Sequence, residues 1–173
     1  MTPAELTRMM PFAASRADTY APILTKHMPE QKIDTPKRQA AFLAQVGHET
    51  GSLKYMKEIA DGSAYEGRID LGNTQPGDGK RFPGRGGLQA TGRDMYFRLS
   101  QAFGVDFIKQ PELLEQPEWA IRSACWIWTV NKGLNPLADA DKFGSITKRI
   151  NGGYTHIDER IQLWLQIRRV LGL

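Results

Sequence analysis

The pattern of apolar and polar positions along the chain reads as mostly helical. A short first helix is expected over residues 3–10. A second is expected over residues 14–27, interrupted or kinked near Pro22, whose ring removes a backbone donor. Thr35-Pro36 is a start signal, a capping hydroxyl followed by proline at the first helical position. The helix it opens carries Ala40, Phe42, Leu43, Val46 and Gly47 and runs to about Glu49. Residues 61–87 are rich in Gly, Pro, Asp and Asn, and such a long irregular stretch inside a compact domain is often functional. The Gly77-Asp78-Gly79 turn signal suggests a short hairpin within it. Thr91 is then expected to cap a helix to about Phe103. Residues 117–131 are apolar nearly all round, as a central buried helix would be, and Gly133 ends that run. Short helices follow near residues 136–141 and 144–150, then an amphipathic helix over residues 158–170. No linker divides the chain, so all 173 residues are expected to form a single domain.

Composition changes this picture little, but it narrows the partners. A formal net charge of +4 suits an anionic partner such as nucleic acid, a membrane surface or a charged wall polymer. It equally suits an ordinary soluble surface. The single cysteine, Cys125, excludes an internal disulfide framework and lies in an apolar run as a buried thiol would. No apolar stretch approaches the length of a membrane span, and no signal peptide is visible. The chain is therefore expected to fold in a cytoplasm and to need release if its substrate lies outside.

Several chemistries are disfavoured by motif. His48-Glu49 could open a zinc signature, but Ser52 stands where the second histidine is needed, and no metal is expected. Glycines 72–87 match neither a phosphate loop nor a dinucleotide fingerprint, so no cofactor is expected. No nucleophile elbow occurs. Carboxylates remain. Glu49 ends an apolar helix, and partial desolvation at such a rim favours the neutral form a general acid needs. A surface glutamate at a helix end is the bland alternative. Glu58 lies nine positions on, and Glu66 competes with it for the same role.

The chain resembles glycoside hydrolase family 19, which groups chitinases with phage endolysins. The resemblance rests on several pieces in order: His48-Glu49-Thr50; Tyr65-x-Gly67-Arg68 with Leu71-Gly72-Asn73-Thr74; Gly77-Asp78-Gly79; and Arg81-Phe82-x-Gly84-Arg85-Gly86. Leu88-Gln89-x-Thr91-Gly92-Arg93-x-x-Tyr96, Trp126-x-Trp128, Ile150-Asn151-Gly152-Gly153 and Arg160 complete it. It implies a mainly α, lysozyme-like fold of two lobes with a catalytic cleft and a long Gly-rich loop or small hairpin. It also implies an inverting hydrolase with Glu49 as general acid and Glu58 as general base, the two carboxyls about 6.5–9.5 Å apart. Thr91 would position the water. His48, Gln89, Tyr96 and Asn151 would contact sugar, Thr147 would offer a further hydroxyl, and Arg160 would stand near the carboxylates.

The leading functional expectation is a peptidoglycan glycosidase of the endolysin type. It would be a monomer held in the host cytoplasm until a holin opens the membrane, and it would bind neither nucleic acid nor an integral membrane site. Lys80, Arg81, Arg85, Lys148 and Arg149 would aid its approach to an anionic wall. Chitin or chitooligosaccharides are the alternative substrate, because both polymers are β-1,4-linked through N-acetylated sugars. A non-catalytic glycan-binding protein is the second alternative, against which Glu49, Glu58 and Thr91 all argue.

Overall fold

A computed structural model describes all residues, 1–173. In chain order the helices are α1 (Pro3–Met9), α2 (Ala17–Glu30), α3 (Pro36–Glu49), α4 (Asp78–Arg81), α5 (Arg93–Phe103), α6 (Pro117–Trp126), α7 (Asn135–Asp139), α8 (Phe143–Asn151) and α9 (Ile157–Val170). Short 3-10 turns occur at Pro11–Arg16, Ser63–Tyr65, Ile69–Leu71 and Pro111–Glu115, and no helix is long and apolar enough to cross a membrane. The architecture is mainly α, as the apolar pattern predicts.

The chain forms two compact units. The first comprises Met1–Lys54 and Cys125–Leu173, the second Tyr55–Ala124. The boundary falls inside α6. In the first unit Thr35 caps α3 as expected, its hydroxyl accepting from the Arg38 amide at 3.3 Å. Phe42, Leu43 and Val46 of α3 are fully buried, and Phe42 meets Trp128 edge-on at 5.5 Å. α3 packs closely on α9 and on Met10 at Gly47. A Cβ there would lie 2.7 Å from Met10 Sδ and 2.9 Å from Leu163. Pro22 sits within α2, whose helix runs on past it to Glu30. The expected single helix over residues 117–131 changes pitch, passing from α6 into a π-helical turn at Ile127–Asn131. Trp128 is held there by Asn135 Oδ1, which accepts its indole N–H at 2.8 Å. Cys125 is a buried thiol, and burial pushes its pKa well up.

In the second unit Phe82, Tyr96, Leu99, Phe107 and Leu114 form the core. The expected hairpin at Gly77-Asp78-Gly79 is not formed. Gly77, at φ +88°, instead opens α4. Glu66 caps that turn, accepting from the amides of Gly77 at 2.7 Å and Gly79 at 2.8 Å. The nearest approach to β structure lies further on, where Arg85 and Ala90 exchange backbone hydrogen bonds of 3.0 and 2.7 Å. The same segment pairs with residues 56–58: the Gly86 amide donates to Met56 O at 2.8 Å and the Glu58 amide to Gly84 O at 2.9 Å. The expected cap at Thr91 also fails. Gly92, at φ +86°, takes the cap position of α5, and the Thr91 hydroxyl turns back to Gln89 O at 3.1 Å.

Candidate active site

In the first unit, α3 delivers His48 and Glu49 at its C-terminal end. The Glu49 side chain is 19% exposed. Its Oε1 is enclosed, accepts no aligned hydrogen bond, and faces Arg160 Nη2 at 2.6 Å. Arg160 is itself buried, and a buried guanidinium is tolerated only when its donors are occupied. Each of its nitrogens has a partner. Nε donates to Thr155 O at 3.3 Å, Nη1 to Gln45 Oε1 at 2.6 Å, and Nη2 meets Glu49. Gln45, one helical turn before Glu49, donates through Nε2 to Thr147 Oγ1 at 2.7 Å.

His48 stands next to this cluster, its Nδ1 3.8 Å from Glu159 and its ring 5.6 Å from that of His156. Burial, and next the charge of Arg160, lowers the His48 pKa, which favours neutral imidazole. Asn151, the last residue of α8, is exposed and free to meet a ligand. Thr147, expected to offer a hydroxyl to the cleft, is instead fully buried and donates to Phe143 O at 3.3 Å.

In the second unit the pairing of residues 56–58 with 84–86 fixes Glu58. Its Oε1 accepts from the Gly84 amide and its Oε2 from the Tyr65 hydroxyl, each at 2.9 Å. Burial, followed by this bond to Glu58, raises the Tyr65 pKa, so the phenol stays a donor. Asn73 ties down the 3-10 turn that ends at Tyr65. It is fully buried, donates to Tyr65 O at 2.9 Å and accepts from the Arg93 amide at 2.8 Å. Gln89 and Thr91 border the same spot. A Cβ at Gly84 would run into the end of the Gln89 side chain at Oε1 and come within 3.3 Å of Thr91 Oγ1, so both side chains lie against this glycine. Gln89 itself holds a left-handed backbone at φ +50°, an uncommon conformation for a residue with a side chain. Glu58, Gln89 and Thr91 are thus brought together, each partly exposed.

Two sequence expectations fail here. Tyr96 is fully buried and cannot touch a sugar. Its hydroxyl donates to Pro83 O at 2.7 Å and accepts from Arg85 Nη1 at 2.9 Å, which places it in the framework behind the site. Arg85 is no free surface charge either, being buried and 2.6 Å from Glu115. Glu66, the rival to Glu58, has both oxygens committed to the α4 amides.

Sequence reasoning missed Gln45, Tyr65 and Gly84 as site residues. Gln45 carried a signal: it is the one polar residue in the run 40–47, four residues before Glu49 and therefore on its face.

A family profile described as chitinase class I, glycosyl hydrolase family 19, matches residues 27–152. A glycosyl hydrolase family 19 domain-containing protein of Haemophilus influenzae is 29% identical over 73% of this chain and 76% of its own length. An endochitinase of Arabidopsis thaliana is 34% identical over 78% of this chain, but the chain spans only 48% of that plant protein. Another Arabidopsis relative, 32% identical over 78% of this chain, is called an inactive endochitinase. Among solved structures, chitinase C from Streptomyces griseus superposes with a TM-score of 0.75 at 25% identity, covering 98% of this chain and 75% of that one.

Proposed function

This chain belongs to glycoside hydrolase family 19, the class I chitinase family, and from that membership we propose that it hydrolyses β-1,4 bonds between N-acetylated amino sugars with inversion. The observation that carries the proposal is the way each unit presents one partly exposed carboxylate on a rigid support. Glu49 is held by Arg160, and Glu58 by Tyr65 and Gly84.

In the proposed reaction protonated Glu49 gives its proton to the glycosidic oxygen as the C1–O bond breaks. Arg160 stabilises the carboxylate left behind. Ionised Glu58 takes a proton from a water whose oxygen attacks C1 from the face opposite the leaving group, so the product has inverted configuration. Thr91, beside Glu58, both donates and accepts and is the group proposed to orient that water. Proton exchange with solvent resets both carboxyls.

The proposed substrate is peptidoglycan, and the enzyme would meet it at the wall after release from the cell that made it. The net charge of +4 supports this reading, since peptidoglycan carries anionic stem peptides and chitin is neutral. Chitin is the second reading, supported by the names of the plant and Streptomyces relatives. Parallel digestion of purified sacculi and N-acetylglucosamine hexamer tests both. Peptidoglycan fragments released faster than hexamer is cut supports the first reading, and the reverse order supports the second. If neither polymer is cut, the glycosidase proposal fails and a glycan-binding role replaces it.

A further inference from the structure

Arg160 has three points of attachment, and only one of them is Glu49. The Nη1 attachment, Gln45, belongs to a line of buried hydrogen bonds with a fixed direction. Thr147 on α8 donates its hydroxyl to Phe143 O at 3.3 Å, which leaves its oxygen lone pairs to accept. The Gln45 amide must then present its NH2 side to Thr147, at 2.7 Å, and its oxygen to Arg160 Nη1, at 2.6 Å. Gln45 and Thr147 are fully buried, so no water competes for either group. A flipped amide would set its NH2 against the guanidinium, donor against donor, and leave the Thr147 lone pairs facing a carbonyl oxygen.

We propose that Gln45 and Thr147 are positioning residues that fix the Arg160 guanidinium so that Nη2 stays on Glu49 throughout the reaction. The proposal rests on the reading of Glu49 as the general acid. Neither residue touches substrate. Their part is to hold the cation where negative charge appears when Glu49 gives up its proton, without reorganisation at that moment. The Nε–Thr155 bond alone leaves the guanidinium free to swing about one axis. The Gln45 bond removes that freedom.

Thr147→Val keeps the shape and removes the acceptor for Gln45, and Thr147→Ser restores it. Thr147→Val is expected to lower kcat by about tenfold with KM nearly unchanged, the pattern of an interaction used in the transition state, and Thr147→Ser to recover most of the loss. In an Arg160→Met background, Thr147→Val is expected to change kcat no further. An additive loss there would mean that Thr147 works by another route and would overturn the proposal.

A second measurement does not depend on activity. In NMR spectra the Arg160 guanidinium is expected to show separate, slowly exchanging Nη signals in wild type and averaged signals in Thr147→Val. Equal averaging in both proteins, or a Thr147→Val enzyme with unchanged kcat, overturns the positioning role while Glu49→Gln remains inactive. If Glu49→Gln itself stays active, the acid assignment fails, and the positioning role falls with it.

Discussion

Tyr65 donates its hydroxyl to Glu58 Oε2 at 2.9 Å, while the backbone amide of Gly84 occupies Oε1. A carboxylate held from both sides has its orientation fixed. Tyr65→Phe removes one of these supports without changing the ring. Hydrogen bonds to charged groups contribute about 1.5–3 kcal/mol, so kcat is expected to fall by roughly tenfold or more with little change in KM. Steady-state kinetics on the preferred polymer check this.

Glu58 and Glu66 separate cleanly by substitution. Glu58→Gln cannot accept a proton from water and is expected to lose activity by about a hundredfold or more while melting like wild type. Glu66→Gln cannot hold both the Gly77 and Gly79 amides, so it is expected to melt a few degrees lower, about 3 °C per kcal/mol lost. Its kcat, measured well below the melting point, should stay near wild type. A dead Glu66→Gln beside an active Glu58→Gln would exchange the two roles.

Tyr96→Phe tests the framework reading of that residue. The substitution leaves Pro83 O without its donor and Arg85 Nη1 without one acceptor, both in a buried setting. Stability is expected to fall by about 1–3 kcal/mol in denaturant unfolding. A sugar-contacting tyrosine would instead raise KM and leave the unfolding midpoint alone.

His48 gives a pH dependence with a definite sign. Folding lowers its pKa, first through burial and then through Arg160, so the folded protein disfavours the charged ring. The stability tied to neutral His48 is therefore complete above the unfolded value of about 6.5 and is lost as pH falls toward the folded value. His48→Gln is expected to flatten the unfolding free energy across that window and leave it unchanged at pH 8. A wild-type protein that gains stability between pH 7 and pH 5.5 through His48 would contradict this.

What the sequence made legible was local. Thr35-Pro36 opens α3 because a hydroxyl cap and a proline at the first turn satisfy the helix within three residues. α9 follows its apolar stripe almost to the residue. Glu49 and Arg160 were placed by the motifs that carry the family resemblance, and the fold sets them 2.6 Å apart although they lie 111 positions apart in the chain. Most of the failures share a cause, which is that a side chain's role depended on a distant partner; Thr91 is the exception, decided by its neighbour. Gly77-Asp78-Gly79 reads as a turn, and Glu66, eleven residues back, decides that it opens a helix. Thr91 has a capping side chain, but Gly92 with its positive φ moves the cap one residue on. Thr147 and Tyr96 carry hydroxyls that sugars would suit, yet Gln45 and Arg85 occupy them in the interior.

The most direct test of the central claim compares wild type with Glu49→Gln on purified sacculi, following release of new reducing ends, with hexamer as the parallel substrate. The amide cannot donate the proton that bond cleavage needs, so the account predicts cleavage by wild type and a loss of about a hundredfold or more in Glu49→Gln at an unchanged melting temperature. A Glu49→Gln protein that cleaves within a few-fold of the wild-type rate would contradict it.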